Sequence, residues 1–292
     1  MKYSVIDIGT NSVRFMLAEQ VGNEIIVSST FKTTTRLGEG LYTPERRLAD
    51  KPVCDTLCAV KKYADYSRES NADIIICTAT SAVRDASNSD EFSNKIKQTA
   101  GIELRILSGE EEAYAGFAGA MQDMPDPDNK MLIDIGGGST EIVSHSKNGI
   151  EGTSFECGCV RLNELFRGDY KKAAKYIAEV VKPHSAQPAV WIGGTASACA
   201  MIYLHLNEYS INRVHMTKIP AAYIKSLRDK TLTMSPDELM SLCSFDAKRG
   251  EILPYGLMII SHILDSIKTD NVIVSEKGLM DGIITLYSQG KI

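Results

Sequence analysis

One phrase occurs twice in this chain. Val5-Ile6-Asp7-Ile8-Gly9-Thr10-Asn11-Ser12 stands near the start, and Leu132-Ile133-Asp134-Ile135-Gly136-Gly137-Gly138-Ser139-Thr140 near the middle. Each is an apolar run that closes on Asp-Ile-Gly and continues into small hydroxyl or amide residues. A second apolar run follows, Val13-Arg14-Phe15-Met16-Leu17 in the first copy and Glu141-Ile142-Val143 in the second. The two aspartates are 127 positions apart, about the length of one small domain. A chain of 292 residues that carries the phrase twice reads as two related lobes, each bringing one turn to a phosphorylated ligand.

The chemistry of the turn explains that expectation. The apolar run before each Asp reads as a buried strand, and the run after the turn as its hairpin partner. Glycine lets the backbone come close to a ligand, and successive N–H groups in such a turn can point into one concavity that holds an anion. Gly9, Thr10, Asn11 and Ser12 in the first copy, and Gly136, Gly137, Gly138, Ser139 and Thr140 in the second, are therefore the candidate phosphate-binding residues. A carboxylate at the strand end, Asp7 or Asp134, is suited to Mg²⁺ directly or through water. The plainer alternative is a pair of tight hairpins with a turn-favouring Asp. Neither phrase has the Gly-Lys-Ser/Thr of a Walker loop.

The bulk numbers are those of a soluble globular protein, with 43% hydrophobic and 24% charged residues. A net charge of −5 excludes wholesale attraction to nucleic acid or membrane, so basic groups for a polyanion must be gathered locally. No apolar run has membrane-spanning length, and Met1-Lys2-Tyr3-Ser4 begins a strand rather than a leader. The seven cysteines, Cys54, Cys58, Cys77, Cys157, Cys159, Cys199 and Cys243, are odd in number and irregular in spacing. They read as reduced thiols of a cytoplasmic protein rather than a metal or disulfide framework.

Along the chain, strands are expected over 3–8, 12–19 and 23–33, then a loop Arg36-Leu37-Gly38-Glu39-Gly40-Leu41. A helix is expected over 44–69 with Leu48, Leu57, Val60 and Ala64 as its stripe, a strand over 73–77, and a helical turn Ser81–Ala86 carrying Arg84. A helix over 90–100, a strand over 103–107 and a helix over 109–122 complete the first half. Met124-Pro125-Asp126-Pro127-Asp128 cannot continue a helix and marks the expected boundary, giving lobes 1–125 and 126–292. The order then partly restarts, with strands over 130–135, 140–146, 150–156 and 189–193, and helices over 160–182 and 196–206. Ser235-Pro236-Asp237-Glu238 has the form of a capping box. Helix 252–267, strand 271–275 and helix 278–289 end the chain.

Ser108-Gly109-Glu110-Glu111-Glu112 lies where strand 103–107 meets a helix. One reading is a Ser N-cap followed by acids that suit the helix dipole. The other is that one carboxylate is a general base, kept ionised by the helix N-terminus. Spacing alone does not choose among the three.

The restart resembles the actin-like ATPase superfamily, which implies an α/β, ribonuclease H-like two-lobed fold with an interdomain active-site cleft. More specifically the chain resembles the Ppx/GppA phosphatases, the exopolyphosphatases and guanosine pentaphosphate phosphatases. The matching segments are Asp7–Arg14, Arg36–Leu41, Thr78–Arg84, Ser108–Ala113, Asp134–Glu141, Gly158-Cys159-Val160-Arg161-Leu162, Gly193-Gly194-Thr195-Ala196 and Val274–Leu279. The resemblance implies that Glu112 is the catalytic base, that Asp134 and Glu141 attend the metal and the attacking water, and that Arg84 contacts phosphate. A guanidinium binds two phosphate oxygens at once, against the plainer reading of Arg84 as a solvated helix-end residue. It implies Mg²⁺ as cofactor, with Mn²⁺ able to replace it, and inorganic polyphosphate or guanosine pentaphosphate as substrate. No nucleic-acid or membrane partner is implied, and the family admits a homodimer.

Two segments depart from the family pattern. Arg249-Gly250-Glu251 stands where Arg-Ala-Asp is frequent, and Met280 where Arg is frequent, with Lys277 as a substitute cation. Long members carry an extra helical C-terminal region, whereas this sequence ends after the expected second lobe. The rival readings are a sugar-kinase-like phosphotransferase, with Gly193-Gly194-Thr195 at a nucleoside, and a non-catalytic sensor of guanosine tetra- or pentaphosphate.

Overall fold

The computed structural model describes residues 1–22, 24–146, 149–183 and 188–291. Position 23, where the third strand is expected to begin, and position 292 lie outside them. The chain forms two compact units, Met1–Glu112 with the residues from Ile283 on, and Ala113–Gly282.

The first unit begins with β1 (Lys2–Ile8), β2 (Ser12–Val21) and β3 (Glu24–Thr34), continues through α1 (Asp50–Glu69), β4 (Ile74–Ala79), α2 (Ser81–Arg84), α3 (Ser89–Ala100) and β5 (Leu104–Ile106), and enters α4 (Gly109–Ala120). Its sheet has the order β3-β2-β1-β4-β5. The β1–β2 and β2–β3 pairs are antiparallel, and β1–β4 and β4–β5 parallel. Phe15 of β2 stacks on Phe31 and Tyr63 and meets Tyr66 edge-on, with centroids 5.2–5.6 Å away. These rings fasten α1 to the sheet.

Helix α1 starts six residues later than its periodicity predicts. Arg46 has a left-handed backbone (φ 46°), which a helix cannot pass through. Leu48 is buried ahead of the helix, and the stripe inside it is Val53, Thr56, Ala59, Val60, Tyr63, Ala64 and Ser67, with Leu57 only partly buried. Helix α3 ends at Gly101 in the left-handed conformation, as a C′ glycine should.

The second unit has β6 (Met131–Ile135), β7 (Thr140–Ser146) and β8 (Gly149–Phe155), then α5 (Cys159–Phe166), α6 (Tyr170–Val180), β9 (Ala189–Ile192), α7 (Gly194–Tyr203), α8 (Ile211–Val214), β10 (Lys218–Pro220), α9 (Ala221–Thr231), α10 (Pro236–Leu242), α11 (Leu253–Ile267), β11 (Asn271–Val274) and the start of α12 (Leu279–Ser288). The sheet order is β10-β11-β9-β6-β7-β8. Strands β8-β7-β6-β9-β11 thus repeat β3-β2-β1-β4-β5, with the same antiparallel meander and the same parallel neighbours. The doubled phrase is a doubled fold.

Three features of the chain's organisation become specific in the structure. The helices expected over 160–182 are α5 and α6, separated where Arg167 and Gly168 take positive φ. The segment from β10 through α9 was not anticipated, although Ala221, Ile224, Leu227 and Thr231 bury a helical stripe. The two compact units pass into one another inside α4 and α12. The reason is burial: Ala113, Phe117, Ala120 and Met121 of the α4 segment pack with Leu132, Val143, Val190 and Ile192, while Tyr287 of α12 packs edge-on against Tyr3 of β1. The proline-rich stretch is a loop inside the second unit. The capping box at Ser235 forms, with Ser235 and Glu238 each accepting from the other's amide.

All seven thiols are free, Cys54 and Cys58 exposed and the other five buried. Burial pushes the Cys157 and Cys199 thiols up to about 12, and thiolate is the reactive form. In the folded protein at pH 8, Ellman's reagent is expected to titrate Cys54 and Cys58 at once and the remainder only after denaturation. Rapid reaction of the buried thiols as well would contradict this packing. Among the described residues no helix is long and apolar enough to cross a membrane.

Candidate active site

Both copies of the phrase form the same turn. Gly9 N donates to Ser12 O and Gly136 N to Ser139 O, each at 3.0 Å. A Cβ on either glycine would lie 3.2 Å from that serine oxygen, so the tight turn favours glycine at both places.

Each turn is held from behind by the segment that follows its three-stranded meander. In the first unit Gly38 N donates to Thr10 O at 2.8 Å, and Thr35 N and Arg36 N donate to Asn11 O at 3.2 and 2.9 Å. In the second unit Cys159 N donates to Gly136 O at 3.1 Å, and Val160 N and Arg161 N donate to Gly137 O at 2.8 and 3.0 Å. Arg161 Nε donates to Gly138 O at 2.7 Å. A trans peptide sets its C=O and the next N–H in opposite directions. Carbonyls drawn back at Thr10 and Asn11 turn the amides of Asn11 and Ser12 to the other side, and those at Gly136, Gly137 and Gly138 do the same for Gly137, Gly138 and Ser139. Consecutive amides aimed one way form an anion-binding concavity.

Two glycines allow this bracing, and neither was singled out from the sequence as more than part of a motif. A Cβ on Gly38 would lie 2.3 Å from Thr10 Cγ2, and one on Gly158 2.4 Å from Gly137 O. Among the hydroxyls, Thr140 is fully buried and donates to Cys157 O. It fastens the loop instead of facing a ligand.

The acids separate by role. Ser108 and Glu111 form a reciprocal cap, Ser108 N donating to Glu111 Oε2 at 2.8 Å and Glu111 N to Ser108 Oγ at 3.1 Å. The Ser108 amide, and then Arg105, hold the Glu111 carboxyl below its usual range. Glu110 is exposed. Glu112 is the buried one, 8% exposed, and its Oε2 accepts from Arg84 Nη1 at 3.0 Å. The same nitrogen donates to Leu107 O at 2.8 Å. Arg84 is therefore a fixed, three-quarters-buried residue rather than a solvated helix end, and it orients Glu112 within the first unit.

The strand-end aspartates occupy equivalent register positions, Asp7 opposite Arg14 and Asp134 opposite Glu141. Arg14 Nη2 donates to Asp7 Oδ2 at 2.7 Å, and Asp7 Oδ1 is buried with no partner among the described residues. In the second unit a second carboxylate replaces the arginine. Like charges directly opposite on antiparallel strands repel, so Asp134 and Glu141, unlike Asp7 and Arg14, form a pair that could hold a cation. Glu141 is 1% exposed, and Ser154 donates to its Oε1 at 2.6 Å. Among the described residues no group of three or more His, Cys, Asp or Glu side chains gathers for a metal. Two carboxylate donors are nevertheless what Mg²⁺ uses when phosphate and water complete its shell, so the pair fits such an ion. Asp134 also depends on Gly193, whose φ is 96° and whose Cβ would stand 2.9 Å from Asp134 Oδ1.

Comparison with known proteins places the chain in a family. The chain is 25% identical to an exopolyphosphatase 2 of Mycobacterium tuberculosis, covering 97% of each. It is 31% identical to a bifunctional 3-dehydroquinate synthase/phosphatase of Fusobacterium nucleatum, covering 96% of this chain but only 45% of that protein. Among solved structures, an exopolyphosphatase of Cytophaga hutchinsonii superposes with a TM-score of 0.90 at 25% identity over 99% of this chain and 98% of that one. An Aquifex aeolicus Ppx/GppA family member gives 0.81 at 25% identity over 100% and 98%. These likenesses bear out the α/β actin-like class. The profile of the Ppx/GppA phosphatase family matches residues 16–289, and the chain belongs to that family.

Proposed function

We propose that this protein is an exopolyphosphatase that releases the terminal phosphate of inorganic polyphosphate by attack of water. The observation that carries the reading is Glu112, a buried carboxylate held by Arg84 in the unit that also presents the braced Asn11 and Ser12 amides. A carboxylate fixed in this way is suited to take a proton from water as the oxygen attacks phosphorus. A relative that this chain matches over 97% of each length is named an exopolyphosphatase, which favours polyphosphate over a nucleotide.

In this reading the amides of Asn11, Ser12, Gly137, Gly138 and Ser139 hold phosphate oxygens, and Arg84 adds a guanidinium as charge gathers on the equatorial oxygens. Asp134 and Glu141 hold a divalent cation, Mg²⁺ or Mn²⁺, which when bound supplies further neutralisation of the phosphate charge. Glu112 receives the proton of the attacking water, and the shortened chain leaves as a stable polyanion that needs little acid assistance. Seven free thiols suit a cytoplasmic setting.

The test is orthophosphate release, with Mg²⁺ present, from long-chain polyphosphate, from guanosine pentaphosphate and from ATP with a sugar. The expected result is release from polyphosphate. Release from guanosine pentaphosphate alone would make the protein a nucleotide phosphohydrolase, phosphorylation of the sugar would make it a kinase, and tight nucleotide binding without release would make it a sensor.

A further inference from the structure

The two loops have the same length and turn, but they are not braced by the same groups. At the third position of the first loop, Asn11 O takes two backbone donors, Thr35 N and Arg36 N. At the third position of the second loop, Gly138 O takes a side chain, Arg161 Nε at 2.7 Å. The first loop reads Gly-Thr-Asn-Ser and the second Gly-Gly-Gly-Ser. Three successive glycines have the greatest backbone freedom, so the second loop has the greater need of an external brace.

Arg161 is built to provide one. It lies in the first turn of α5, and its side chain is 5% exposed. Its own backbone N donates to Gly137 O at 3.0 Å, and Nη1 reaches Glu156 at 3.3 Å. One residue therefore fixes two adjacent carbonyls, one through its main chain and one through its side chain. The peptide after Gly138 carries the Ser139 amide, and the contact from Nε turns that amide outward. The guanidinium also places a full positive charge directly behind the loop, where it adds to the field of the amides on an anion in front.

We propose that Arg161 is a positioning residue for the reaction, holding the Gly138 amide through its main chain and the Ser139 amide through its side chain in their phosphate-accepting orientation, without touching the phosphate itself. The assignment rests on the reading of Gly136–Thr140 as a phosphate loop.

The test uses Arg161→Ala and Arg161→Lys in the full chain, with inorganic phosphate as the probe. Amide NMR shifts of Gly137, Gly138 and Ser139 are followed through a phosphate titration, alongside KM and kcat for polyphosphate. In the wild type all three amides are expected to shift together. In Arg161→Ala the shift at Ser139 should shrink while that at Gly138, still held through the main chain, persists; the apparent phosphate affinity should fall at least tenfold, and kcat/KM should fall with it. Millimolar methylguanidinium should restore part of both in Arg161→Ala and neither in the wild type. Arg161→Lys, which keeps the charge but not the Nε geometry, should lie between.

A folded Arg161→Ala with wild-type shifts and wild-type kinetics would overturn the proposal. So would failure of both variants to fold, which would make Arg161 a core residue only. A wild type that hydrolyses no polyphosphate but still shows the shifts and their loss would sink the proposed activity while leaving Arg161 as the brace of an anion-binding loop.

Discussion

Glu112→Gln is expected to leave the protein folded and to remove most of its turnover. Glutamine has nearly the volume of glutamate and still offers an oxygen to Arg84 Nη1, so the contact at 3.0 Å survives in weakened form. The proton acceptor is lost. General-base catalysis contributes about a hundredfold or more, equivalent to about 2.7 kcal/mol of barrier. With the cation saturating, kcat for phosphate release should drop by at least that factor while KM changes little, because the loop amides that hold the phosphate are untouched. Glu111→Gln is the matched control. Its carboxylate caps α4 through Ser108 and pairs with Arg105, so its loss should cost roughly 1 kcal/mol of stability and little activity. A reversal of the two phenotypes would move the base to Glu111.

The largest effect on stability is expected at Gly119. A Cβ there would lie 1.9 Å from Gly278 O and 2.7 Å from Gly282 N, and one on Gly282 would lie 1.7 Å from Ala115 O. Helix α4 and the first turn of α12 thus approach backbone to backbone within the second unit, and these neighbours are main-chain atoms that cannot rotate aside. Gly119→Ala should destabilise by about 3 kcal/mol or more, the upper part of the overpacking range. Gly116→Ala, one turn earlier on α4, meets nothing nearer than 3.4 Å. It should be neutral or gain up to about 1 kcal/mol from helix propensity. Urea titration of both variants checks the pair, and equal stability would mean that α4 and α12 do not meet as described.

Much of this was legible in the chain because it rests on local rules. The strand–turn–strand phrase announces itself through apolar runs, Asp-Ile-Gly and small polar residues, and its repetition foretells the repeated sheet order. The Ser235 capping box and the Gly101 helix stop are likewise local. Glu112 was legible only as one of three carboxylates, and the structure separates them because Glu111 takes the cap and burial takes Glu112 to Arg84.

What was not legible depends on contacts distant in sequence. Arg161 reads as an ordinary residue of an apolar helix start, and its role comes from a carbonyl 23 residues earlier. Gly38 and Gly158 look like loop glycines until the atoms behind them are known. The division of the units inside α4 and α12 follows from which side chains are buried together, whereas Met124–Asp128, with its two prolines, marks only a loop. The contrast between Asp7–Arg14 and Asp134–Glu141 is visible in sequence only once the strand register shows that these are the same two positions.

The most direct measurement of the central claim is polyphosphate hydrolysis in ¹⁸O-labelled water, with the position of the label read by mass spectrometry or ³¹P NMR. Attack of a Glu112-activated water on the terminal phosphorus predicts one heavy oxygen in each released orthophosphate and none in the shortened chain. Label in the shortened chain, or no orthophosphate from polyphosphate at all, would contradict it.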